Sequence, residues 1–296
     1  MDIAAYLSEK KNLVNQRLEQ FLSPLEGPQK TVIDAMRYSL FAGGKRIRPI
    51  LCMAGAEAAG GSGEAVLPFA CAIELIHTYS LIHDDLPGVD NDDLRRGVPT
   101  CHIRFGEAAA ILTGDALLTE AFFVMTKLDL YDGIQADRLL KSAHMLADAA
   151  GLRGMVGGQV VDVESEGKSV PMELIEFIHK KKTAALIQAS VASGAYLGGA
   201  SDSVVSALSD YGLYLGLAFQ IRDDILDEVG QSDVMGKPSG SDRELKKATF
   251  PSVLGLEESR RREAAVIQQS LKAIEHLDDR CEPLRAISLY LLDRTH

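Results

Sequence analysis

The sequence lacks several features that would assign it to a class at once. It has only four cysteines, Cys52, Cys71, Cys101 and Cys281, and no Cys-x-x-Cys pair. Such scattered cysteines argue against a zinc site or a disulfide framework and favour reduced thiols. Residues 1–22 alternate apolar with charged positions and have no continuous apolar core, unlike a signal peptide or a membrane span. We therefore expect a cytoplasmic protein without stable membrane insertion.

Basic residues are also in the minority. Lys and Arg total 31 against 42 Asp and Glu, so the formal net charge is −11. A general nucleic-acid binder would carry an excess of positive charge, which disfavours that class and any nucleic-acid partner. The balance does not argue against a small anionic substrate, because basic residues can be concentrated locally.

No stretch alternates apolar and polar residues with period two, as a half-buried strand would. Apolar residues recur at helical spacing instead and predict helices over about 3–22, 28–41, 48–59, 64–84, 107–128, 135–150, 182–198, 203–229, 257–277 and 283–293. Another helix is expected to start at Pro171, and residues 85–106 and 230–248 are expected to be loops. No linker or repeat divides the chain, so we expect one all-α domain over residues 1–296.

The sequence does contain two clusters of three aspartates, each at or after an apolar helical run. They are Asp84, Asp85 and Asp90, and Asp223, Asp224 and Asp227. Closely spaced carboxylates repel one another, and their burial is costly unless a cation compensates. Carboxylate oxygens suit Mg²⁺, which usually keeps several waters and binds substrate phosphates as well. The two clusters therefore predict a phosphorylated substrate that is clamped between them through metal.

The spacing within each cluster suggests how its carboxylates converge. Asp223 and Asp227 lie four residues apart, which places them on one helix face. Pro87 and Gly88 should end the preceding helix, so that Asp90 can turn back toward the metals. A solvated acidic helix end is the alternative for the first cluster, but carboxylates at a helix C-terminus oppose the helix dipole.

Several basic motifs have equally simple alternatives. Residues 43–49 place three cations beside Gly43 and Gly44, which fits an anion-binding loop or an ordinary helix start. Residues 180–183 are expected to open a helix, where positive charge is unfavourable unless an anion lies nearby. His77 fits a ligand-binding role or a buried core histidine. None of these motifs is decisive alone.

Together, the motifs resemble those of the trans-isoprenyl diphosphate synthases, most closely the bacterial farnesyl diphosphate synthases. The matching segments are GGKRIRP (43–49), ELIHTYSLIHDDLPGVDNDDLRRGVPTCH (74–102), GMVGGQVVDVESEG (154–167), HKKKTAALI (179–187), FQIRDDILD (219–227) and GKPSGSDRELKKATFP (236–251). They follow the family order over most of the chain. The departures are Gly88-Val89, where many bacterial relatives have Ala-Met, Phe250, where Tyr is common, and the doubled Lys246-Lys247.

The resemblance implies an all-α isoprenoid-synthase bundle around a deep central cavity, normally in a homodimer. The two aspartate clusters match the family's two metal-binding motifs. The positions that match the isopentenyl diphosphate site are Lys45, Arg48, His77 and Arg96. Those that match the allylic diphosphate site are Arg95, Lys182, Thr183, Gln220, Lys237 and Lys247, with Lys247 favoured over Lys246. Gln159 and Asp162 fall on a further family motif.

The resemblance also implies a mechanism. Mg²⁺ ions would lie between the carboxylates and the allylic diphosphate. About three ions per active site are implied, with Mn²⁺ as a possible substitute. Ionisation of the allylic diphosphate leaves a cation, which the double bond of isopentenyl diphosphate attacks before a proton is lost. Lys182, Thr183, Gln220 and Arg95 are the expected catalytic residues, since fixed polar groups stabilise charge as it forms.

Product length is expected to depend on Tyr79 and Ser80, which precede Asp84 by about one helical turn or slightly more. An aromatic residue at position 79 and two extra residues within the first aspartate motif resemble farnesyl-forming bacterial enzymes. Simple core packing is the alternative role for Tyr79. The expected product is therefore farnesyl diphosphate, with geranylgeranyl diphosphate as the alternative.

Two other functions are compatible with the same fold. A terpene cyclase would ionise one diphosphate without adding a second substrate, but the set of residues that matches the isopentenyl diphosphate site is intact. A non-catalytic partner subunit of a prenyl synthase would not require both aspartate clusters, and neither is degraded here. Both features favour an active synthase.

Overall fold

The computed structural model describes residues 1–229 and 247–292. This part of the chain is almost entirely helical, which confirms the all-α prediction. The helices are α1 (Ile3–Phe21), α2 (Lys30–Phe41), α3 (Ile47–Ala58), α4 (Leu67–Asp84), α5 (Cys101–Phe105), α6 (Glu107–Thr126), α7 (Ala136–Ala150), α8 (Met155–Ser165), α9 (Met172–Ile178), α10 (Ala185–Leu197), α11 (Asp202–Glu228), α12 (Phe250–Leu254), α13 (Leu256–Ala273) and α14 (Glu282–Leu292). A π-helix, His179–Ala184, joins α9 to α10, and 3-10 turns lie at Leu128–Leu130 and Asp279–Cys281.

Small residues bring the central helices α3 and α10 close together. A Cβ added to Gly194 would lie 1.9 Å from the carbonyl oxygen of Cys52, and one added to Gly55 would lie 2.4 Å from that of Val191. Because backbone atoms occupy both places, neither glycine can carry a side chain without moving the helices apart. Around this pair, α4 packs against α6, and α11 packs against α10 and α13. The bundle leaves its central space between α4, α8, the π-helix and α11.

The helix ends that shape this space follow from local sequence. Helix α2 stops before Gly43 and Gly44, which adopt φ angles of 113° and 115°. Helix α4 ends at Asp84, three residues before Pro87, as the sequence predicts. The predicted loop at 85–106 is only partly a loop, since it contains α5 and a hairpin of Leu94–Arg95 with Val98–Pro99.

That hairpin is too short to show a period-two pattern, which explains why the sequence did not reveal it. Arg96 and Gly97 form its turn with φ angles of 54° and 79°, as a tight two-residue hairpin turn requires. Helix α8 was also absent from the predicted helices. Gly157 and Gly158 lower its intrinsic helix propensity, so its packing against the π-helix must supply its stability.

Two helices, α6 and α11, are long and apolar enough to cross a membrane by length and composition alone. Helix α11 carries Asp223, Asp224 and Asp227 near its C-terminal end and packs against α10 and α13. Helix α6 packs against α2 and α4. Packing in the bundle accounts for part of their apolar composition, and α6 also exposes Ile111, Leu112 and Phe123.

Candidate active site

Two adjoining cavities lie at the centre of the bundle. The first, of about 470 Å³, is lined on one side by Tyr79, Met155, Val156 and Val160, and we call it the apolar lobe. The second, of about 660 Å³, is bordered by Lys11, residues 42–48 and Lys247, and we call it the cationic lobe. Residues that line both lobes are Arg48, His77, Asp84, Arg95, Arg96, Lys182, Phe219, Gln220 and Asp223.

Aspartates from both clusters face this shared space. Asp84 ends α4 and Asp223 lies near the end of α11, and both line the two lobes. Asp90 lines the cationic lobe. Burial raises the pKa of the Asp84 carboxyl, and the opposing charge of Lys182 limits the rise. Asp84 and Asp90 of the first cluster and Asp223 of the second therefore border one shared space.

The middle aspartate of the first cluster is held elsewhere. Asp85 is only 3% exposed, and Arg95 Nε donates to its two carboxylate oxygens at 2.7 and 2.8 Å. Arg95 Nη2 donates to the same carboxylate, and Arg95 also lies 3.6 Å from Asp92. This bidentate pair ties the hairpin to the end of α4. Asp85 itself lines neither lobe. Its contact is with Arg95, which lines both, and this contact holds Arg95 at the cavity.

The second cluster divides in a similar way. Asp224 is 2% exposed and accepts hydrogen bonds from the backbone N–H of Phe250 at 2.9 Å and from Gln220 Nε2 at 3.1 Å. Its burial raises its pKa to about 7, although both hydrogen bonds oppose the rise. Asp227 shares a separate cavity of about 500 Å³ with Asp224. Asp223 therefore lines the two lobes, whereas Asp227 lines that other cavity, and Lys247 borders the cationic lobe and that cavity alike.

A single carboxylate links the two lysines of the site. Lys182 Nζ donates to Asp162 Oδ2 at 2.7 Å, and Lys247 Nζ lies 3.7 Å from the same oxygen. Lys247 also donates to Asp90 at 2.8 Å. Burial alone would lower the pKa of Lys182, but Asp84 and Asp162 raise it above the ordinary value, so the ammonium group stays charged. Lys237 and Lys246, two other candidate phosphate ligands, lie outside the described residues.

The π-helix brings Lys182 and Thr183 into the site side by side. Thr183 Oγ1 donates to Gln220 Oε1 at 2.7 Å, and Gln220 in turn donates to Asp224. The expectation that residues 180–183 open a helix was wrong, because α9, the π-helix and α10 run on without a break. The helix dipole therefore gives no reason to place an anion there, and the neighbouring carboxylates compensate the lysine charge instead.

Two glycines leave room for this π-helix. A Cβ added to Gly158 would lie 2.3 Å from the backbone nitrogen of Lys182, and one added to Gly216 would lie 2.6 Å from the Cα of Ala184. The π-helix is thus packed directly against the backbones of α8 and α11. π-Helical turns are rare and occur often at functional sites.

We predict that Gly158→Ala lowers turnover by about tenfold to a hundredfold, because a displacement of Lys182 and Thr183 of about 1 Å misaligns the reacting groups. Steady-state kinetics measures the effect. Val163→Ala on the same helix is the matched control, since Val163 is exposed and lines neither lobe. Equal rates for Gly158→Ala and the control would show that the close packing has no catalytic role.

The residues predicted for isopentenyl diphosphate also converge. Arg48 Nη1 lies 3.2 Å from His77 Nε2, and Arg96 Nη1 donates to the carbonyl of Gly43 at 2.6 Å. Burial and the charge of Arg48 hold the pKa of His77 well below its ordinary value, so the neutral ring can accept a hydrogen bond from Arg48. Burial likewise lowers the pKa of Arg48 to about 10. Lys45 lies exposed at the rim of the cationic lobe.

Arg46 holds this loop in place, a role that the sequence did not reveal. It is 4% exposed, with a φ angle of 55°. Its guanidinium donates to Asn15 Oδ1 at 2.9 Å, to Glu74 Oε1 at 2.8 Å and to the carbonyl of Leu40 at 2.6 Å. These contacts join α1, α2 and α4 to residues 43–48. Arg46 thus borders the cationic lobe with Lys45 and Arg48, but its guanidinium is held by contacts within the bundle.

Tyr79 lies at the apolar lobe, as expected for a residue that limits product length. Its side chain is 7% exposed and meets the ring of His83 edge-on, with 5.7 Å between the centroids. His83 Nε2 lies 3.1 Å from the carbonyl oxygen of Ile111, in the space left by Gly114. Ser80 also lines the lobe and donates to the carbonyl of His77 at 2.8 Å.

The donor chemistry of the cavity suits a hard divalent cation. Asp84, Asp90 and Asp223 offer carboxylate oxygens, the ligand type that Mg²⁺ prefers. Among residues 1–229 and 247–292, no three His, Cys, Asp or Glu side chains form a ready-made metal cluster. The aspartates would therefore share a metal with water and a bound anion, which is how Mg²⁺ is commonly held.

Comparison with known proteins agrees with this geometry. Residues 29–285 match the polyprenyl synthetase family. The chain is 48% identical to a farnesyl diphosphate synthase of Geobacillus stearothermophilus, covering 94% of this chain and 93% of that protein. It is 44% identical to a geranylgeranyl diphosphate synthase of Cyanophora paradoxa, covering 100% and 97%. The crystal structure of an FPP/GFPP synthase from Zymomonas mobilis matches with a TM-score of 0.87 and 35% identity, covering 98% of this chain and 99% of that one.

These matches extend over nearly the whole of each chain, and the members named here make isoprenyl diphosphates of different lengths. The family uses divalent metal ions and isoprenyl diphosphate substrates. The cavity has the aspartates and the cations that such substrates require. The chain belongs to the polyprenyl synthetase family and is a trans-prenyl diphosphate synthase.

Proposed function

We propose that this enzyme condenses isopentenyl diphosphate with dimethylallyl diphosphate and then with geranyl diphosphate, to give farnesyl diphosphate. The observation that carries the proposal is the division of the cavity. Aspartates of both clusters lie at the junction of a cationic lobe, which suits a diphosphate, and an apolar lobe, which suits a hydrocarbon tail. Such a cavity can hold two diphosphates and one growing chain.

The allylic diphosphate would lie between the two clusters. Asp84, Asp90 and Asp223 would hold Mg²⁺, about three ions by family resemblance with Mn²⁺ as a substitute. When bound, the metal supplies Lewis-acid stabilisation of the departing diphosphate. Asp85 orients Arg95, and Asp224 orients Gln220, so these aspartates support the site through their partners.

The remaining charge of the diphosphate would fall on Lys182, Lys247 and Arg95. Lys182 and Lys247 already lie together on Asp162, and a bound diphosphate gives both a stronger partner. Thr183 and Gln220 are fixed to one another at the junction of the two lobes. Their dipoles stabilise the allylic cation as it forms, because they need no reorganisation.

Isopentenyl diphosphate would bind in the cationic lobe through Lys45, Arg48, His77 and Arg96. Its double bond attacks the allylic cation, and the new cation loses a proton to the released diphosphate. The hydrocarbon tail enters the apolar lobe, whose side chains exclude water from the cation.

Farnesyl diphosphate is the proposed product because Tyr79 limits the apolar lobe. Geranylgeranyl diphosphate is the alternative, and it has support from the relative of Cyanophora paradoxa that carries that name. Relatives of similar identity include both farnesyl and geranylgeranyl diphosphate synthases. The buried ring of Tyr79 at the apolar lobe favours the shorter one.

We also propose that the enzyme is a single-domain cytoplasmic homodimer. Helix α6 exposes the apolar side chains of Ile111, Leu112 and Phe123. Exposed large apolar side chains on one helix favour a protein interface there. A second copy of the chain is the occupant that the family resemblance implies.

The test is an assay of the purified chain alone with dimethylallyl diphosphate, isopentenyl diphosphate and Mg²⁺, with product identification by mass spectrometry. Farnesyl diphosphate is the expected product. A cyclic hydrocarbon from an allylic diphosphate alone would identify a terpene cyclase. Absence of turnover without another subunit would identify a non-catalytic partner and overturn the proposal.

A further inference from the structure

Helix α1 contributes a lysine to the cationic lobe that none of the sequence motifs contains. Lys11 borders this lobe together with Gly43, Gly44, Lys45 and Arg48. It lies outside the matched family region, which begins at residue 29. The motifs around the lobe therefore gave no reason to expect a phosphate ligand from α1.

The orientation of α1 is fixed by contacts on either side of Lys11. On the N-terminal side, Tyr6 OH donates to Glu57 at 2.7 Å and Lys10 Nζ donates to the same carboxylate at 2.6 Å. On the C-terminal side, Asn15 accepts from Arg46 Nε at 2.9 Å. Lys11 and Asn15 are four residues apart and share a helix face. Lys11 lies one turn of α1 before Asn15, and therefore faces the loop at 43–48 as Asn15 does.

Among the residues that the structure describes, Lys11 also has no ionic partner, in contrast to its neighbour Lys10. Within residues 1–229 and 247–292, Lys10, Lys182 and Lys247 each pair with a carboxylate, whereas Lys11 forms neither a hydrogen bond nor an ion pair through its side chain. The side chain is only partly exposed. Lysine and arginine side chains outnumber the carboxylates around this lobe, so its border favours a bound anion.

We propose that Lys11 is a further ligand of the diphosphate of isopentenyl diphosphate. The assignment rests on the proposed function of the cationic lobe. Lys45 approaches the lobe from the loop before α3, Arg48 from the first turn of α3, and Lys11 from α1. The diphosphate is therefore held from both sides of the loop and from a separate helix. Lysine acts as a flexible point charge on phosphate. Its contribution is to substrate affinity, and the reacting carbons lie elsewhere.

The test is steady-state kinetics of Lys11→Gln, with each substrate varied at a saturating concentration of the other. The KM for isopentenyl diphosphate should rise about threefold to tenfold, the effect of one partly exposed charge-assisted contact. The KM for the allylic diphosphate and kcat should not change. Lys11→Arg should restore most of the affinity, since it keeps the positive charge.

Lys272→Gln is the matched control, because it makes the same charge change at an exposed position of α13 outside both lobes. It should leave both KM values unaltered. An unchanged KM for isopentenyl diphosphate in Lys11→Gln would overturn the assignment. Equal increases in the KM values for isopentenyl diphosphate and for the allylic diphosphate would also overturn it. Such increases would mean that the loss of one positive charge weakens the binding of both substrates through long-range electrostatics. Failure of the proposed function would appear separately, as absence of turnover by the unmodified enzyme.

Discussion

Asp84→Asn is expected to lower turnover by about a thousandfold or more. Asp84 lies at the junction of the two lobes, where an allylic diphosphate and its metal would meet the first cluster. Loss of about 4 kcal/mol of charge stabilisation at the leaving group corresponds to three orders of magnitude in rate. Asn has nearly the same size as Asp, so the helix end and the cavity should keep their shape.

The comparison needs a control with the same charge change. Asp210 lies exposed on α11, outside both lobes, so Asp210→Asn should leave turnover unaltered. Circular dichroism should show the same helix content in both variants. Turnover of Asp84→Asn within about tenfold of the unmodified enzyme would remove Asp84 from the metal site.

Tyr79→Ala should lengthen the product, from the proposed farnesyl diphosphate to geranylgeranyl diphosphate or longer. The buried ring closes part of the apolar lobe beside His83, and its removal gives the chain room for at least one more isoprene unit. Mass spectrometry of the products measures the change. The truncation should also cost about 3–5 kcal/mol of folding free energy, as loss of a buried aromatic ring usually does.

Tyr79→Phe provides the control for this prediction, because it removes only the hydroxyl and keeps the ring. Its product should remain farnesyl diphosphate. If folded Tyr79→Ala made the same product as the unmodified enzyme, Tyr79 would be a core residue, and another side chain would limit the length.

The clusters and basic motifs could be predicted from sequence because their chemistry is local. Three aspartates within seven residues need a cation wherever they lie, and the structure brings Asp84 and Asp223 to one cavity. Sequence could not predict that Asp84 lines the cavity while Asp85 pairs with Arg95. This pairing depends on the hairpin that delivers Arg95 to Asp85, and two-residue strands leave no periodic pattern.

The π-helix had no sequence signal either. Its position depends on tertiary contacts with Gly158 and Gly216, which lie far from it along the chain. Arg46 shows a related limit. Sequence places it among cations that suit an anion, whereas its buried ion pair with Glu74 makes it a structural anchor. Neighbours in sequence can have different partners, and only the packing of α1, α2 and α4 gives Arg46 its contacts with Asn15, Leu40 and Glu74.

The central claim is that the two clusters hold the allylic diphosphate jointly through a divalent metal. Calorimetric titration with an unreactive analogue of geranyl diphosphate tests it most directly, in the presence of Mg²⁺ and in the presence of a chelator. We predict tight binding only with Mg²⁺, and at least about tenfold weaker binding in both Asp84→Asn and Asp223→Asn. Equal affinity with the chelator, or in either variant, would contradict the claim.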